Sequence, residues 1–132
     1  MSSFTSDLTV SVMKSGNAWK LARAFTYRIG SKYSKRFIRV VAGFITDFAS
    51  IPKLIFLFLP WWAKYSKASV LHDWLYRARS IMGKPITRKE ADNIFREAML
   101  IEFRTHKSGK FVANLEYYAV RWFAWLAWKG NK

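Results

Sequence analysis

A pair of helices is encoded by residues 68–105, ASVLHDWLYRARSIMGKPITRKEADNIFREAMLIEFRT. In the first part of this stretch apolar residues recur at spacings of three and four, the period of an amphipathic helix, at Ala68, Leu71, Leu75 and Ala78. The glycine and proline within residues 82–85 end that helix, and a capping box from Thr87 to Glu90 predicts that a second helix begins at Arg88. Because the connection is short, we expect the two helices to be antiparallel neighbours.

The predicted bounds of the paired helices, and a third helix after them, complete the helical part of the chain. The first helix is predicted to begin at about Ala63 and the second to end at about Thr105, before a break at Ser108 and Gly109. A third helix is predicted over residues 111–128, with aromatic side chains on most of its circumference. A helix of that kind lies either at the centre of the domain or against a partner.

The N-terminal third predicts strands. Apolar and polar residues alternate in three runs separated by turn residues, at 8–13, 19–29 and 37–44. About three short antiparallel strands are the simplest interpretation. An ordered loop follows at 45–62 and contains the apolar run 54–59. The sequence therefore predicts an α+β fold in a single domain, 1–132, that is mainly β over 1–44 and mainly α over 63–132. Its small N-terminal antiparallel strands would pack with three C-terminal helices.

The chain is strongly basic and rich in aromatic residues. Its 132 residues include 23 Lys and Arg against 8 Asp and Glu, a formal net charge of +15, and 7 Trp. Such a charge favours an anionic partner: nucleic acid, an anionic phospholipid surface or an acidic protein. The alternative is that the positive charge serves solubility alone. Tryptophan suits membrane interfaces and also stacks on bases, so composition leaves these partners open. The absence of cysteine excludes disulfides and thiolate zinc sites.

The sequence predicts neither a signal peptide nor a transmembrane helix. Residues 1–7 are polar, and the apolar run 54–59 is far shorter than the roughly 20 residues that span a bilayer. This run and its surroundings fit either a buried helical turn or an anchor at a membrane interface or partner. The contact residues of such an anchor would be Trp61, Trp62, Lys53, Lys64 and Lys67.

Candidate chemistry is concentrated on the paired helices. His72 and Tyr76 lie four residues apart on one helix face, and Asp73 lies about 100° round the helix. Asp92 falls on an otherwise apolar stripe of the second helix, which is costly for a carboxylate without a partner. His72 and Asp92 can therefore meet across the interface, where the carboxylate would fix the imidazole tautomer of a general base acting on water.

Asp73 is the candidate metal ligand. A carboxylate beside the activated water can hold a hard cation together with loop carbonyl oxygens, a donor set that suits calcium better than zinc. Asp47 would add an oxygen ligand or cap a turn. Each residue also has a structural explanation: a core histidine bonded to a backbone carbonyl, an Asp73–Arg77 ion pair, a core tyrosine, and an aspartate serving the helix dipole. Only their joint placement favours a site.

Three motifs of the chain resemble an uncharacterised domain family found mainly in tailed bacteriophages and prophages. They are Thr46–Pro52 (TDFASIP), His72–Tyr76 (HDWLY) and Ala91–Phe95 (ADNIF), within a resemblance that covers roughly residues 37–128. Because the function of that family is unknown, the resemblance implies a phage-encoded protein of the host cytoplasm or the virion and no particular chemistry.

A shorter stretch, residues 68–99, is similar to the core of the phospholipase A(2) superfamily, especially the disulfide-free versions carried in parvovirus capsids. The shared pattern is His72-Asp73-x-x-Tyr76 followed by Ala91-Asp92-x-x-Phe95. The resemblance implies that His72 activates water, that Asp73 binds calcium, and that Asp92 orients His72 with help from Tyr76. The chain differs from the superfamily before the first helix, where residues 42–46 hold one glycine in place of a glycine-rich calcium loop.

Two functions from different classes follow from these patterns. The first is a calcium-dependent, phospholipase A(2)-like hydrolase that cleaves esters while peripheral to an anionic membrane surface. The second is a non-enzymatic phage virion or host-takeover protein whose basic aromatic surface binds nucleic acid, lipid or other virion proteins. In that case the group formed by His72, Tyr76 and Asp92 would be a polar network that fixes helix pairing. A metal-dependent hydrolase acting on cell wall or nucleotides is a further alternative.

Overall fold

A computed structural model of the protein describes residues 3–4, 8–13, 18–46, 57–64 and 66–130. Among these residues, the strands and helices in chain order are β1 (Ser3–Phe4), β2 (Val10–Val12), β3 (Trp19–Leu21), β4 (Phe25–Arg28), β5 (Phe37–Val40), β6 (Ile45–Thr46), α1 (Trp61–Lys64), α2 (Lys67–Ala78), β7 (Ser80–Ile81), β8 (Lys84–Pro85), α3 (Arg88–Glu102), α4 (Gly109–Phe123) and α5 (Trp125–Gly130). The predicted α+β class is confirmed, with antiparallel strands first and three long helices after them.

The N-terminal strands form two small antiparallel sheets, ordered β1-β4-β5 and β2-β3-β6. The prediction of one strand over residues 19–29 is wrong, because β3 and β4 belong to different sheets. An unbroken strand would place Leu21, Arg23 and Phe25 on the same face. The bend between β3 and β4 leaves Arg23 exposed while Leu21 and Phe25 stay buried. Part of the predicted loop, Ile45–Thr46, also pairs as a strand, with β3.

The two paired helices begin at side-chain caps. Ser66 Oγ accepts a hydrogen bond from the Ser69 backbone N–H at 3.1 Å, so α2 begins at Lys67, later than predicted. Thr87 Oγ1 accepts from the Glu90 N–H at 3.1 Å, which confirms the predicted start of α3. These bonds satisfy N–H groups that lack a partner within the helix.

A tight β-hairpin, β7–β8, connects α2 to α3. Met82 and Gly83 occupy its turn with φ of 52° and 81°, which are the positive values that a two-residue hairpin turn requires. Helix α2 thus ends at Ala78, before the predicted stop at residues 82–85, and those residues belong to an ordered hairpin. It returns the chain so that α3 packs antiparallel to α2: the Glu102 carboxylate, at the end of α3, accepts hydrogen bonds at 2.9 Å from the backbone N–H groups of Lys67 and Ala68, where α2 begins.

Helix α4 packs against α3 through small side chains. Its buried face includes Val112, Ala113, Ala119 and Val120, while most of its large aromatic residues face outward. The predicted helix over 111–128 is in fact two helices that meet at Ala124. Gly109 permits the start of α4, because a β-carbon there would overlap the carbonyl oxygen of Phe103. Within the described part of the chain, no helix has the length and apolar character needed to cross a membrane.

Candidate active site

His72 and Asp92 form a buried hydrogen-bonded pair between α2 and α3. The distance from His72 Nε2 to Asp92 Oδ1 is 2.7 Å, and neither side chain is exposed to solvent. A carboxylate can only accept hydrogen bonds, so Nε2 is the donor, and the lone pair of a neutral imidazole lies on Nδ1. The contact predicted from the apolar stripe of the second helix is therefore present.

Three further side chains hold Asp92. The Tyr76 hydroxyl donates to the same Oδ1 at 2.6 Å, while Arg121 and Arg88 donate to Oδ2 at 2.8 Å and 3.3 Å. Burial alone would raise the pKa of Asp92, but the hydrogen bonds from His72, Tyr76 and Arg121 hold it below its usual value. Asp92 is thus a buried, charged carboxylate at neutral pH. Burial and the neighbouring charge of Asp92 raise the pKa of Tyr76, so its phenol keeps the proton that it donates.

The two arginines also connect this group to α4. Arg88 donates to the backbone carbonyls of Val120 at 3.0 Å and Arg121 at 3.1 Å. Sequence reasoning missed both residues. The spacing of four between Arg88 and Asp92 was a usable signal, because residues at that spacing are neighbours on a helix. Arg121 carried no such signal, since its contact depends on how α4 packs.

The other ring nitrogen of His72, Nδ1, has a different environment. Nδ1 is buried and has no hydrogen-bond partner among the residues that the structure describes. The imidazole is stacked on Phe95, with ring centroids 4.3 Å apart, and lies 4.2 Å from the Tyr76 ring. One nitrogen is thus fixed by a carboxylate and the other is left with an available lone pair, which is the state of a general base before proton transfer.

Asp73, the candidate calcium ligand, lies near a cation. It is largely buried, and Arg77 Nη2 lies 3.7 Å from its Oδ2. This is the Asp73–Arg77 ion pair that the sequence offers as the structural alternative to a metal ligand. Among the described residues, no group of three His, Cys, Asp or Glu side chains could hold a metal ion. Asp47 lies outside the described residues.

The predicted contact residues around α1 differ in exposure. Trp61 is exposed, but the Trp62 ring is stacked on His106 with centroids 3.9 Å apart and packs edge-on against Phe103. Lys67 Nζ lies 4.8 Å from the centroid of the Phe4 ring. The Lys64 side chain and Lys53 are outside the described part of the structure. Trp62 therefore packs inward and partly covers His106.

Glu116 is a second buried carboxylate, and sequence reasoning missed it. It lies on the inward face of α4, and neither of its carboxylate oxygens has a hydrogen-bond partner among the described residues. Burial, together with the nearby charge of Glu102, raises its pKa well above the usual value. The signal that singled out Asp92 was available here too, because Val112, Ala113 and Val120 share the same helix face.

Glu116 is expected to make the protein less stable as the pH rises. The unfolded chain ionises this group near pH 4.5, so the stability associated with the protonated form is complete below that value and is lost as pH rises through the higher folded-state pKa. Replacing Glu116 with Gln should raise the free energy of unfolding by about 1–3 kcal/mol at about pH 8, since folding no longer has to raise the pKa of a group that is ionised in the unfolded chain. Urea unfolding across a pH series measures this.

A matched control is Glu90→Gln, which removes an exposed ion pair with Arg36 and should change stability by less than about 1 kcal/mol. Glu102, whose pKa burial also raises, keeps part of the pH dependence in every variant. A pH profile of Glu116→Gln parallel to that of the wild type would show that Glu116 is not the source.

An apolar groove of about 400 Å³ lies on a different face of α2 from the histidine. Its lining includes Trp74, Ala78, Ile81 and Met82, together with Ile38 and Arg39 of β5. Trp74 is two positions after His72 and points away from it, because two positions correspond to about 200° on a helix. This groove is therefore not the approach to Nδ1.

Comparison with known proteins gives one family match. A family model described as a protein of unknown function (DUF1353) matches residues 19–120. The matched region includes the paired helices and with them His72, Asp73, Tyr76 and Asp92. No curated protein and no solved structure matches the chain.

Proposed function

Because the chain belongs to a family of proteins of unknown function (DUF1353), we propose its activity from the site itself, as a hydrolase in which His72 is the general base. The carrying observation is that Asp92 engages Nε2 of His72 while Nδ1 has no partner among the described residues. The resemblance of residues 68–99 to the phospholipase A(2) superfamily supports a lipid ester as substrate. In this proposal the protein is phage-encoded and works at an anionic membrane surface.

The reaction proceeds by proton transfer at His72. Nδ1 takes a proton from water as the water oxygen attacks the ester carbonyl, and the resulting imidazolium is stabilised by the Asp92 carboxylate. The tetrahedral intermediate then expels the alcohol, which takes the proton back from Nδ1. Tyr76 and Arg121 keep Asp92 in place and charged throughout. Since His72 is fully buried, turnover requires the segments around it to move when substrate binds.

Calcium is the proposed cofactor. Asp73 would hold it, with Asp47 and loop carbonyl oxygens as further ligands, and the ion would supply positive charge next to the developing oxyanion. The support is the resemblance and the position of Asp73 directly after His72 in the chain. The Arg77 guanidinium at 3.7 Å would have to be displaced from Asp73 when the ion binds.

The hydrolase proposal is tested by release of fatty acid from vesicles of mixed phosphatidylcholine and phosphatidylglycerol. We expect release in the presence of calcium and its loss with a chelator. If the folded wild-type protein releases no fatty acid with or without calcium, the hydrolase proposal is wrong.

The role of Asp73 can be separated from its ion pair. We expect Asp73→Asn to lower calcium-dependent release at least about tenfold, because a neutral amide is a poor ligand for a hard cation. Arg77→Gln removes the cationic neighbour of Asp73, together with the contact of the Arg77 guanidinium on the Phe44 ring. It should leave the rate of release unchanged or lower the calcium concentration that release requires. The measurement is the initial rate of release across a calcium titration. Equal losses in both variants would show that the ion pair, not a metal, is what matters.

The non-enzymatic alternative is also supported by an observation. His72 and Asp92 have no solvent exposure. The arginines that hold Asp92 join α3 to α4, and His72 and Tyr76 join Asp92 to α2. In this alternative the group fixes the packing of three helices, and the basic surface binds nucleic acid, lipid or a virion protein. Nucleic-acid binding would weaken steeply with salt and survive substitution of His72.

A further inference from the structure

The outward face of α4 carries a continuous row of large apolar side chains. The members of this α4 row, with their exposed fractions, are Phe111 (70%), Leu115 (41%), Tyr118 (57%) and Trp122 (73%). Their spacings of four, three and four place them within a band of about 60° on the helix surface. The buried face of the same helix bears mainly alanine and valine. The largest side chains of α4 are therefore turned away from the core, although burying such residues is favourable.

Further exposed apolar side chains lie near both ends of α4. Trp125 is the next residue in the same spacing and is about half exposed, as is Phe123 beside it. At the other end, Trp62 is stacked on His106, three residues before Gly109, so α1 lies near the start of α4. Leu57, Phe58 and Trp61, just before and within α1, are all strongly exposed. Extended exposed apolar surface of this kind marks an interaction site.

The charge around the α4 row is positive. Between residues 103 and 130 the sole acidic residue is Glu116, which is fully buried. The basic residues of this segment are Arg104, Lys107, Lys110, Arg121 and Lys129. All of these except Arg121 are exposed. The segment 103–130 thus offers exposed cations and no exposed carboxylate.

We propose that the α4 row lies in the interface of an anionic phospholipid membrane. A helix that combines Trp, Tyr and Phe on one side with lysine and arginine nearby binds such an interface by apolar burial and by attraction to anionic headgroups. A second copy of the chain would bring the same positive charge to the contact, and α4 offers it no exposed acid to pair with. Nucleic acid would use the cations and stack bases on the aromatic rings, but it would leave the aliphatic Leu115 of the row without an apolar partner.

This membrane face is connected to the candidate active site through one helix. Arg121, which donates to Asp92 at 2.8 Å, directly precedes Trp122 of the α4 row. The inference rests on the proposed function for the membrane as the location of the substrate. It adds which face of the protein meets that membrane, a role that sequence analysis had assigned to the surroundings of Trp61 and Trp62.

The test is binding to vesicles measured by co-sedimentation, without turnover. Wild-type protein should bind vesicles of phosphatidylcholine with phosphatidylglycerol more tightly than phosphatidylcholine alone. We expect the double variant Tyr118→Ser/Trp122→Ser to bind the anionic vesicles at least about tenfold more weakly, because two interfacial side chains are lost. Tyr33→Ser is the control, since Tyr33 is more exposed than Tyr118 and Trp122 but lies between β4 and β5, and it should bind like the wild type. Both serine variants should keep the wild-type circular dichroism spectrum.

Three results would overturn the membrane assignment. They are vesicle binding by the double variant equal to that of the wild type, a lipid-free dimer of the wild type that the double variant loses, and nucleic-acid binding that the double variant loses. Hydrolysis of a dispersed short-chain phospholipid separates this inference from the hydrolase proposal. If the double variant cleaves that substrate but not vesicles, both proposals hold. If the wild type binds vesicles and cleaves neither substrate, the membrane face stands and the hydrolase proposal fails.

Discussion

Replacing Asp92 with alanine is expected to lower the free energy of unfolding by about 3–5 kcal/mol, the cost of breaking a buried charged network by removing one member. The substitution leaves His72 Nε2 and the Tyr76 hydroxyl without their acceptor, and it removes the counter-charge of Arg88 and Arg121. Asp92→Asn should cost less, because one acceptor oxygen remains.

Acid dependence gives this prediction a second readout. The folded state holds the pKa of Asp92 below the usual value of 3.8, so its contribution is present above that pH and is lost as pH falls through the lower folded-state value. Both Asp92 variants should therefore lose less stability than the wild type on acidification. Urea unfolding supplies the data, with Asn93→Ala, an exposed neighbour on α3 that bonds Tyr117, as the control. A loss below about 1 kcal/mol in Asp92→Ala would mean that the network contributes little net stability.

The second large effect concerns catalysis. We expect His72→Gln to reduce ester hydrolysis by about 10²–10⁴-fold, the usual contribution of a general base. Glutamine can still donate a hydrogen bond to Asp92 from its amide nitrogen but has no basic lone pair where Nδ1 lies. Vesicle binding and the thermal midpoint are measured on the same samples, so loss of turnover can be separated from loss of fold.

Tyr76→Phe is the matched comparison for His72→Gln. It removes a hydroxyl that donates to Asp92 and leaves the imidazole intact, so its effect on turnover should be about tenfold or less. If His72→Gln and the wild type hydrolyse the ester at similar rates, the general-base assignment is wrong. The non-enzymatic role would then be the better explanation of the buried group.

The helix pair could be predicted because its signals are local. Thr87 and Glu90 indicate the start of α3 from a few neighbouring residues. Asp92 can be recognised as the carboxylate on an apolar stripe even when its partner is not known. Glu116 carried the same kind of signal on α4. Arg121 did not, because its bond to Asp92 depends on the angle at which α4 crosses the pair, which is set by tertiary packing.

Two other features lay beyond a local pattern. The alternation over residues 19–29 is compatible with one strand. In the structure the segment is divided between two sheets, and the bend between them exposes Arg23 while Leu21 and Phe25 stay buried. The aromatic circumference of α4 left open whether it faces the core or a partner. Its alanines and valines decide this, since they allow close approach to α3 and leave the α4 row outside. The calcium ligand role of Asp47 stays a prediction.

The arginine bonds from α3 to the carbonyls of α4 limit how far the site can be transplanted. Arg121 reaches Asp92 only when α4 is docked, because it comes from that helix, and Arg88, which belongs to α3, is braced by the α4 backbone. A synthetic hairpin that copies only α2 and α3 would therefore lack Arg121 and would keep Arg88 without the carbonyls that hold its guanidinium. The smallest transferable module is the three-helix unit, and grafting His72 and Asp92 onto another two-helix scaffold should yield an inert pair.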